Sequence, residues 1–381
     1  MRLVIGAARE SGVGVVVRST GHSVAGRCVA DGAVVIDMRE INGVQADARG
    51  VSVGGGATWR QVDAVSAGAG LAVTGGTVSS TGVAGLTLGG GIGWLLPSFG
   101  LACDSLFSAR VVTSDGCVIE ANDEATPDLM WALRGSGAGL GVVTEFRFEP
   151  HRLLPMFAGS MTIALDHVTG WLGAISDLLT DPPPGLMAGP SFMFRDGRAV
   201  LSLDLVLHGP TVKQRARIES LRRIEGIMRD TVRWRSYVSL QRMIDEPNRS
   251  GLRAYWRAGY PTSVKPDFIA ALAQQIQCCP SQDSIMFLEN LSGAFAHPRF
   301  PSSFPSREPR FSTLITGSWR DVADDEVNMN WIESTWSILS PYLSERPPYL
   351  NYSSDVRPDL DEHVVRLREV KGQIDPVGLF L

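Results

Sequence analysis

The sequence predicts an α+β protein with two domains, and three observations support this. The chain has 381 residues, which is too long for one small hydrophobic core. Its first 150 residues alternate short β-branched runs with helical patterns. After residue 150, proline clusters appear among longer strand and helix patterns. We therefore expect one domain over residues 1–150 and a second over 151–338.

Composition and charge exclude several classes of protein. Hydrophobic residues make up 44% of the chain and charged residues 20%, as in soluble globular proteins. A net charge of −5 provides no basic surface for nucleic acid. The five cysteines lack metal-ligand spacing and predict reduced thiols, so no metal site is expected. Because the chain starts without a signal peptide, we expect a cytoplasmic protein, with secretion left open should the N-terminus be truncated. Oligomeric state is not predicted.

The stretch from Leu71 to Asp104 is rich in glycine and almost without charge. Glycines recur in it at Gly75, Gly76, Gly82, Gly85, Gly89, Gly90, Gly91 and Gly93. A membrane span is disfavoured, because the glycine triplet and Pro97 would break a helix and flanking basic residues are missing. A packed loop without ligand would not need so many glycines. Glycine lets the backbone approach a ligand closely, so we expect a large buried cofactor here.

A polar turn, Ser19-Thr20-Gly21-His22-Ser23, follows the predicted buried strand Val13–Arg18. Successive backbone N–H groups in such a turn can form an anion-binding nest suited to a pyrophosphate. A lone histidine is more often structural than functional, but its place in this turn makes His22 a candidate. The residues before the strand resemble the end of a helix, with Gly12 after its last turn.

The other predicted elements alternate in type. Strands are expected at Ala33–Asp37, Gly50–Gly54, Gly141–Phe148, Ala199–Leu207 and Ser284–Leu291, a hairpin at Leu106–Thr113 with Gly116–Glu120, and helices at Trp59–Ala69, Asp128–Arg134 and Arg215–Arg229. The run from Gly135 to Gly141 resembles a dinucleotide fingerprint, but it follows a helix and precedes a strand. A Rossmann motif has the opposite order, so a nicotinamide site is disfavoured.

Several segments together carry a family resemblance: VRSTGHSVAGRCVADGAVVIDM, VGGGATWRQVDAV, LAVTGGTVSSTGVAGLTLGGGIGWL and DLMWALRGSGAGLGVVTEF. They resemble, in order and spacing, the FAD-binding domain of the berberine bridge enzyme-like FAD-linked oxidases of the vanillyl-alcohol oxidase superfamily. The resemblance implies a PCMH-type FAD-binding domain of two subdomains and an α+β substrate domain whose antiparallel sheet covers the isoalloxazine.

The resemblance also implies site residues. His22 matches the histidine that bonds covalently to the flavin 8α-methyl group, and Ser19, Thr20, Gly21 and Ser23 match the turn around the pyrophosphate. The remaining residues implied to line the cofactor are Gly76, Thr77, Gly82, Gly85, Leu86, Gly89, Gly90, Gly91, Ile92, Gly141, Val142, Val143 and Asn351.

Departures from the family pattern modify these expectations. Val78 stands where doubly attached members have cysteine, which implies a single covalent link through His22. Thr81 stands where many oxidases of the family have valine, which leaves a dehydrogenase open. The family's first helix-and-strand unit is represented only by its last part, so the FAD domain is expected to be N-terminally incomplete.

The segment Tyr349-Leu350-Asn351-Tyr352 resembles the family's YxN motif, which returns to the flavin. The resemblance therefore implies that a C-terminal segment, 339–381, returns to the first domain. In such enzymes a base removes a proton from the substrate while hydride passes to flavin N5, and a tyrosinate can serve as that base. Strand alternation would place Tyr349 and Asn351 on one face and Tyr352 on the other, so that one tyrosine faces substrate. Glu289 is a further candidate, although an edge carboxylate is the favoured interpretation for it.

The leading functional hypothesis is an FAD-dependent oxidase. It would act on a small molecule, namely an alcohol, a sugar or an aromatic secondary metabolite, with O2 as the expected acceptor. The alternative is a catalytically inactive protein of the same fold that binds a metabolite or a partner.

Overall fold

The computed structural model describes residues 1–137, 139–246, 251–353 and 362–381, and their contacts divide the chain into two compact units. Among the described residues, unit 1 comprises 1–153, 297–307 and 362–381, and unit 2 comprises 154–296 and 308–353. Residues 339–353, expected to return to the first domain, therefore lie in unit 2. Residues 297–307, expected in the second domain, lie in unit 1.

Unit 1 contains short helices and three small sheets. Its elements up to residue 152 are α1 (Arg2–Glu10), β1 (Val15–Arg18), β2 (Val34–Asp37), β3 (Val44–Asp47), β4 (Gly50–Gly54), α2 (Trp59–Gly68), β5 (Leu71–Ala72), α3 (Val83–Leu88), α4 (Leu96–Phe99), β6 (Leu106–Val112), β7 (Val118–Asn122), α5 (Pro127–Leu133), β8 (Val142–Phe148) and β9 (His151–Arg152). The predicted helix before Gly12, the helix after Thr58 and the hairpin of β6 and β7 are confirmed.

The sheets of unit 1 differ in direction and size. β1 and β2 pair in parallel, β5 and β9 pair antiparallel, and the order β3-β4-β8-β6-β7 forms a five-stranded antiparallel sheet. Inward residues of the large sheet, including Phe146 and Phe148, are fully buried and pack with Trp59 of α2. This core fixes the start of α2, and the polar turn after β1 lies close to the loop before that helix.

The C-terminal residues of the chain lie beside β1. The Val15 amide donates to the Leu379 carbonyl at 2.8 Å, and the Leu381 amide donates to the Val15 carbonyl at 3.0 Å. Asp375 accepts hydrogen bonds from the Leu379 and Phe380 amides, both at 2.9 Å. The end of the chain therefore supports the strand from which the polar turn leaves.

Unit 2 is built on one antiparallel sheet of eight strands. Its elements are β10 (Met156–Ala164), α6 (Val168–Thr180), β11 (Leu186–Arg195), β12 (Arg198–His208), α7 (Val212–Ser220), β13 (Ile227–Asp230), β14 (Arg233–Arg235), α8 (Tyr237–Gln241), β15 (Arg253–Gly259), α9 (Pro266–Gln277), β16 (Ile285–Asn290), β17 (Phe311–Trp319) and α10 (Asp325–Leu339); α11 (Glu362–Ile374) belongs to unit 1. The strand order is β13-β10-β12-β11-β16-β17-β15, and β14 also pairs with β10.

Alternating residues give the unit 2 sheet two different faces. Leu201, Leu203 and Leu205 of β12 are buried with Trp171 of α6 and Phe268 of α9 in one apolar core. The intervening residues Ser202 and Asp204 of the same strand point to the opposite face because side chains alternate along a strand. The antiparallel sheet with helices on one side agrees with the predicted α+β class.

One predicted helix is wrong in its extent. The helix expected over Arg215–Arg229 ends at Ser220, and Ile227–Asp230 forms strand β13. Gly226, with φ +94°, turns the chain between them. Among the described residues, no helix has both the length and the apolar character needed to cross a membrane.

Candidate functional site

The polar turn after β1 is held against a neighbouring loop. Ser19 Oγ donates to the Gly55 carbonyl at 3.0 Å, and Gly21 adopts φ +85°, a conformation that favours glycine. Arg18 Nε is buried without a hydrogen-bond partner among the described residues. It lies 3.5 Å from the position that a Cβ atom on Gly21 would take. A cationic donor is therefore available at the turn to bind an anion.

The first part of the glycine-rich stretch meets this turn. A Cβ atom on Gly82 would lie 2.5 Å from Ser19 Oγ and 2.8 Å from Thr20 Oγ1, so the two segments are in close contact. Helix α3 begins directly after Gly82 and is fixed by the bond from the Val83 amide to the Ala57 carbonyl at 2.9 Å. Three segments that are distant in sequence therefore converge around the polar turn.

His22 is exposed at this convergence, and its Nε2 lies 3.2 Å from Ser80 Oγ. Although its outer edge is open, the surrounding protein partly desolvates the ring and lowers its pKa below the usual 6.5. The imidazole is therefore neutral at pH 7, which leaves a ring nitrogen lone pair available as a nucleophile.

The second part of the stretch, Gly89 to Gly93, is a buried loop. Gly90 and Gly91 have φ values of +116° and +98°, which side-chain-bearing residues rarely adopt. Their carbonyls accept hydrogen bonds from the Cys103 and Ala102 amides, both at 2.9 Å. Ile92 is 2% exposed. The glycines of this loop therefore allow a densely packed backbone path. A Cβ atom on Gly91 would lie 2.4 Å from the Ala102 Cβ, so protein atoms fill the space beside it, where the sequence analysis expected a cofactor.

The remaining predicted cofactor residues occupy more varied places. Gly76 and Gly89 are buried, Thr77 and Leu86 are half-buried, and Gly85 is exposed with open space around its Cα. In β8, Val142 and Val143 have buried side chains, and the Val143 carbonyl packs closely against Gly55, next to the polar turn. Gly141 instead packs against the Val112 carbonyl and the Val111 side chain of β6.

The residues of unit 1 fit an FAD diphosphate. The evidence is the buried Arg18 Nε without a partner, the glycine backbone of the turn, and the N-terminus of α3 at Gly82. These are cationic and N–H donors, the groups that bind phosphate oxygens. His22 lies at the same place, with its Nε2 atom 3.2 Å from Ser80 Oγ.

The predicted arrangement of Tyr349 and Tyr352 in unit 2 is wrong. Residues Leu350–Tyr352 form a 3₁₀ turn rather than a strand, and the Tyr352 amide donates to the Tyr349 carbonyl at 2.9 Å. Positions three apart eclipse each other in this geometry, so both rings lie together, with centroids 4.7 Å apart. Asn351 Nδ2 donates to the Tyr349 hydroxyl at 2.8 Å. Asn351 therefore supports a tyrosine within unit 2.

Glu289 is not an edge carboxylate. It lies on β16, between β11 and β17, and is 3% exposed. Burial raises its pKa to about 8, although hydrogen bonds from Ser312 and Tyr352 oppose the rise. Its Oε1 atom is buried without a hydrogen-bond partner among the described residues. One carboxylate oxygen is therefore available to accept a proton.

The tyrosines beside Glu289 are poorly suited to ionise. Burial and the nearby carboxylate raise the pKa of Tyr352 well above its usual value. Burial also raises the pKa of Tyr260, a buried neighbour that the sequence analysis did not identify. No local sequence pattern singles out Tyr260, which directly follows β15, because only the fold brings it near Glu289 and Tyr349. The sequence analysis also did not identify Arg18, although its position directly before the polar turn could have indicated a role in anion binding.

Comparison with known proteins identifies an FAD binding domain in the first part of the chain. Residues 1–122 match the family model described as an FAD binding domain. The (R)-6-hydroxynicotine oxidase of Paenarthrobacter nicotinovorans is 37% identical over 177 residues, which cover 45% of this chain and 39% of that oxidase. This match therefore spans well under half of the relative's own length.

Solved structures extend the likeness to the whole chain. The crystal structure of 6-hydroxy-D-nicotine oxidase from Arthrobacter nicotinovorans has a TM-score of 0.89 at 26% identity, covering 99% of this chain and 87% of that chain. Berberine bridge enzyme from Eschscholzia californica shares the fold, with a TM-score of 0.85 at 18% identity over 100% of this chain and 86% of that chain. Residues 1–122 therefore match an FAD binding domain, and the chain is similar to FAD-linked oxidoreductases and shares the fold of 6-hydroxy-D-nicotine oxidase and berberine bridge enzyme.

Proposed function

We propose that this protein is an FAD-dependent oxidase of an alcohol, a sugar or an aromatic secondary metabolite, with O2 as the electron acceptor. The observation that supports it most is the convergence of the His22 turn with Gly82 and the N-terminus of α3. A similar protein is named as an oxidase of 6-hydroxynicotine, which is a hydroxylated aromatic compound.

The cofactor would be held mainly by unit 1. Arg18 and the backbone of the polar turn would bind the diphosphate, and His22 would attach covalently to the flavin. The neutral ring of His22 supports this, since a protonated imidazole could not form the bond. Val78 carries no nucleophile, so His22 would be the single attachment. Bound FAD would supply the capacity to accept two electrons from the substrate.

Glu289 is the group of unit 2 that we assign as the general base. Its pKa of about 8 lies near the working pH, and its Oε1 is buried without a partner among the described residues. It would accept the proton of a substrate hydroxyl or phenol. Tyr352 would remain neutral and donate a hydrogen bond to the same carboxyl group, and Tyr349 would pack against Tyr352. A tyrosinate base is not favoured, because the Tyr352 pKa is raised rather than lowered.

Acid precipitation of the purified protein tests the covalent cofactor. The wild type is expected to retain yellow flavin in the denatured pellet. His22→Ala is expected to release its flavin into the supernatant, whereas His297→Ala, which also removes an exposed histidine, is expected to behave as wild type. Flavin that stays in the pellet of His22→Ala would disprove the attachment. Protein that remains colourless with excess FAD would favour the inactive binding protein instead.

Hydrogen peroxide measurement tests the acceptor. With a substrate identified from a panel of alcohols, sugars and phenols, an oxidase is expected to release one peroxide for each substrate oxidised. Turnover that requires an artificial electron acceptor and releases no peroxide would identify a dehydrogenase. Thr81 leaves this open, since many oxidases of the family resembled have valine at that position.

A further inference from the structure

Residues 297–307, which we call the inserted segment, join unit 1 from a distant part of the sequence. The chain leaves unit 2 after Ala296, contributes this segment to unit 1, and continues in unit 2 from Glu308. Neither the family resemblance nor the family model, which ends at residue 122, assigns the segment a role. Its contacts within unit 1 lead to the buried glycine loop.

A buried ion pair connects the inserted segment to the turn beside the glycine loop. Arg307 binds Asp104 through two bonds, Nη1 to Oδ2 at 2.8 Å and Nη2 to Oδ1 at 2.6 Å. Their side chains are only 14% and 4% exposed. Two parallel bonds fix the orientation of both groups, and a buried carboxylate that loses its partner is strongly destabilised. The pair therefore holds Asp104 in one position.

Asp104 in turn positions the carbonyls of the glycine loop. It lies in the 3₁₀ turn Ala102–Ser105, and its Oδ2 also accepts the Leu101 amide at 2.8 Å. The Ala102 and Cys103 amides of that turn donate to the Gly91 and Gly90 carbonyls. A change in the position of Asp104 would therefore move the two glycines with positive φ.

Phe304 covers the same loop directly. A Cβ atom on Gly90 would lie 2.7 Å from the Phe304 ring, and one on Gly135 would lie 2.7 Å from the Phe304 backbone. The Arg307 guanidinium is 4.9 Å from the centre of the same ring. Phe304 thus fills the space that the glycines leave, and Arg307 fixes its ring.

The other end of the inserted segment is attached to α5. The Ser303 amide donates to the Trp131 carbonyl at 3.1 Å, and Ser303 Oγ donates to the Ala132 carbonyl at 2.9 Å. The fully buried Arg134 lies 4.4 Å from the Phe300 ring centre. The segment is therefore held rigidly on both sides of Phe304.

We propose that the inserted segment holds the glycine loop in its flavin-binding conformation, with Arg307, Asp104 and Phe304 as positioning residues. The inference rests on the proposed function, since it assumes that this loop passes along the FAD. None of the three side chains needs to touch the cofactor. They would act through Gly90 and Gly91, whose backbone conformation is rigid only while the segment packs on it.

The test compares Arg307→Met with Arg299→Met. Both variants remove one arginine of the inserted segment, but Arg299 is 62% exposed and pairs with Glu149 at the surface. The readouts are FAD bound per chain at limiting FAD, the visible spectrum and reduction potential of the bound flavin, and the thermal midpoint of the protein with and without FAD. Arg307→Met is expected to weaken FAD retention by about tenfold and to shift the flavin spectrum. Arg307→Lys, which keeps the charge, is expected to recover part of the loss, and Arg299→Met to match the wild type.

Several results would overturn the inference. One is an Arg307→Met variant that melts at lower temperature but binds FAD with unchanged occupancy, spectrum and potential, since that describes a purely structural pair. Another is an equal loss in Arg299→Met. Should Arg307→Met fail to fold, Phe304→Leu is measured in the same way, and wild-type flavin properties in it would also contradict the inference. Wild-type protein that binds no flavin would instead refute the proposed function.

Discussion

Replacing Asp204 with asparagine is expected to stabilise the protein at neutral pH, and the gain is expected to fade as the solution is acidified. Asp204 lies on the interior strand β12, is 7% exposed, and accepts a hydrogen bond from Ser160 Oγ at 2.5 Å. Burial raises its pKa to about 6, although the Ser160 bond and the charge of Arg195 oppose the rise. The carboxylate is therefore disfavoured inside the folded unit.

The sign and size of the effect follow from the difference between folded and unfolded pKa values. Because the folded pKa is raised above the usual 3.8, the native state binds the proton more tightly. The resulting stabilisation is complete below the unfolded pKa and is lost as the pH rises through about 6. At pH 7, ionisation of the buried Asp204 therefore lowers the free energy of unfolding of the wild type by about 3 kcal/mol relative to its value at low pH. Asparagine is neutral and still accepts a hydrogen bond, so it avoids this cost.

Thermal unfolding followed by circular dichroism between about pH 4 and pH 8 measures the effect. At pH 7 the midpoint of Asp204→Asn is expected to exceed that of the wild type by roughly 6–12 °C, falling to ~2 °C or less near pH 4. Asp325→Asn is the control of opposite sign, because the hydrogen bond from Arg253 lowers the pKa of Asp325, and it should destabilise at neutral pH. An Asp204→Asn variant that is destabilised at pH 7, or whose advantage does not change with pH, would refute the reasoning.

Three further predictions concern the candidate site. If Glu289 is the base, kcat/KM is expected to rise about tenfold between pH 7 and pH 9 as its carboxyl group ionises. Glu289→Gln should abolish this rising limb of the pH profile. A limb that is unchanged in the variant would indicate another base. Tyr352→Phe removes a hydrogen bond that lowers the pKa of Glu289, so the same limb should move to higher pH, and a shift to lower pH would contradict the assigned contact. Gly82→Ala places a Cβ atom 2.5 Å from the neighbouring turn and is expected to lower flavin content, whereas Gly68→Ala, in open space at the end of α2, should not. Equal flavin content in both variants would show that the close approach at Gly82 is dispensable.

Local sequence signals were sufficient for most of unit 1. A β-branched run followed by a polar turn predicted β1 and the loop with His22, because both depend on neighbouring residues. The glycine-rich run was also recognisable from neighbouring residues, and it indicated an unusual backbone path. Gly90 and Gly91 do adopt positive φ, and the densely packed loop explains why side chains are absent there.

The sequence failed where a side chain's surroundings depend on strand order. Periodicity placed Glu289 on a strand but not between β11 and β17, and an interior position is what buries it and raises its pKa. The sequence analysis placed Tyr349 and Tyr352 on opposite faces because it assumed that they lie on a β-strand, in which successive side chains alternate. A 3₁₀ turn and a strand of a few residues have no distinguishing periodicity, so only the fold showed that Tyr349 and Tyr352 lie together.

Residues close together in the chain were enough to predict the glycine loop and the turn that carries His22, and the family resemblance implied the α+β class. The tertiary structure alone decided which distant residues complete them. Arg307 reaches Asp104, and Phe304 covers Gly90, across roughly half the length of the chain. No local pattern records such pairs, because they arise from how the chain returns to unit 1 at residues 297–307 and from the core packing within that unit.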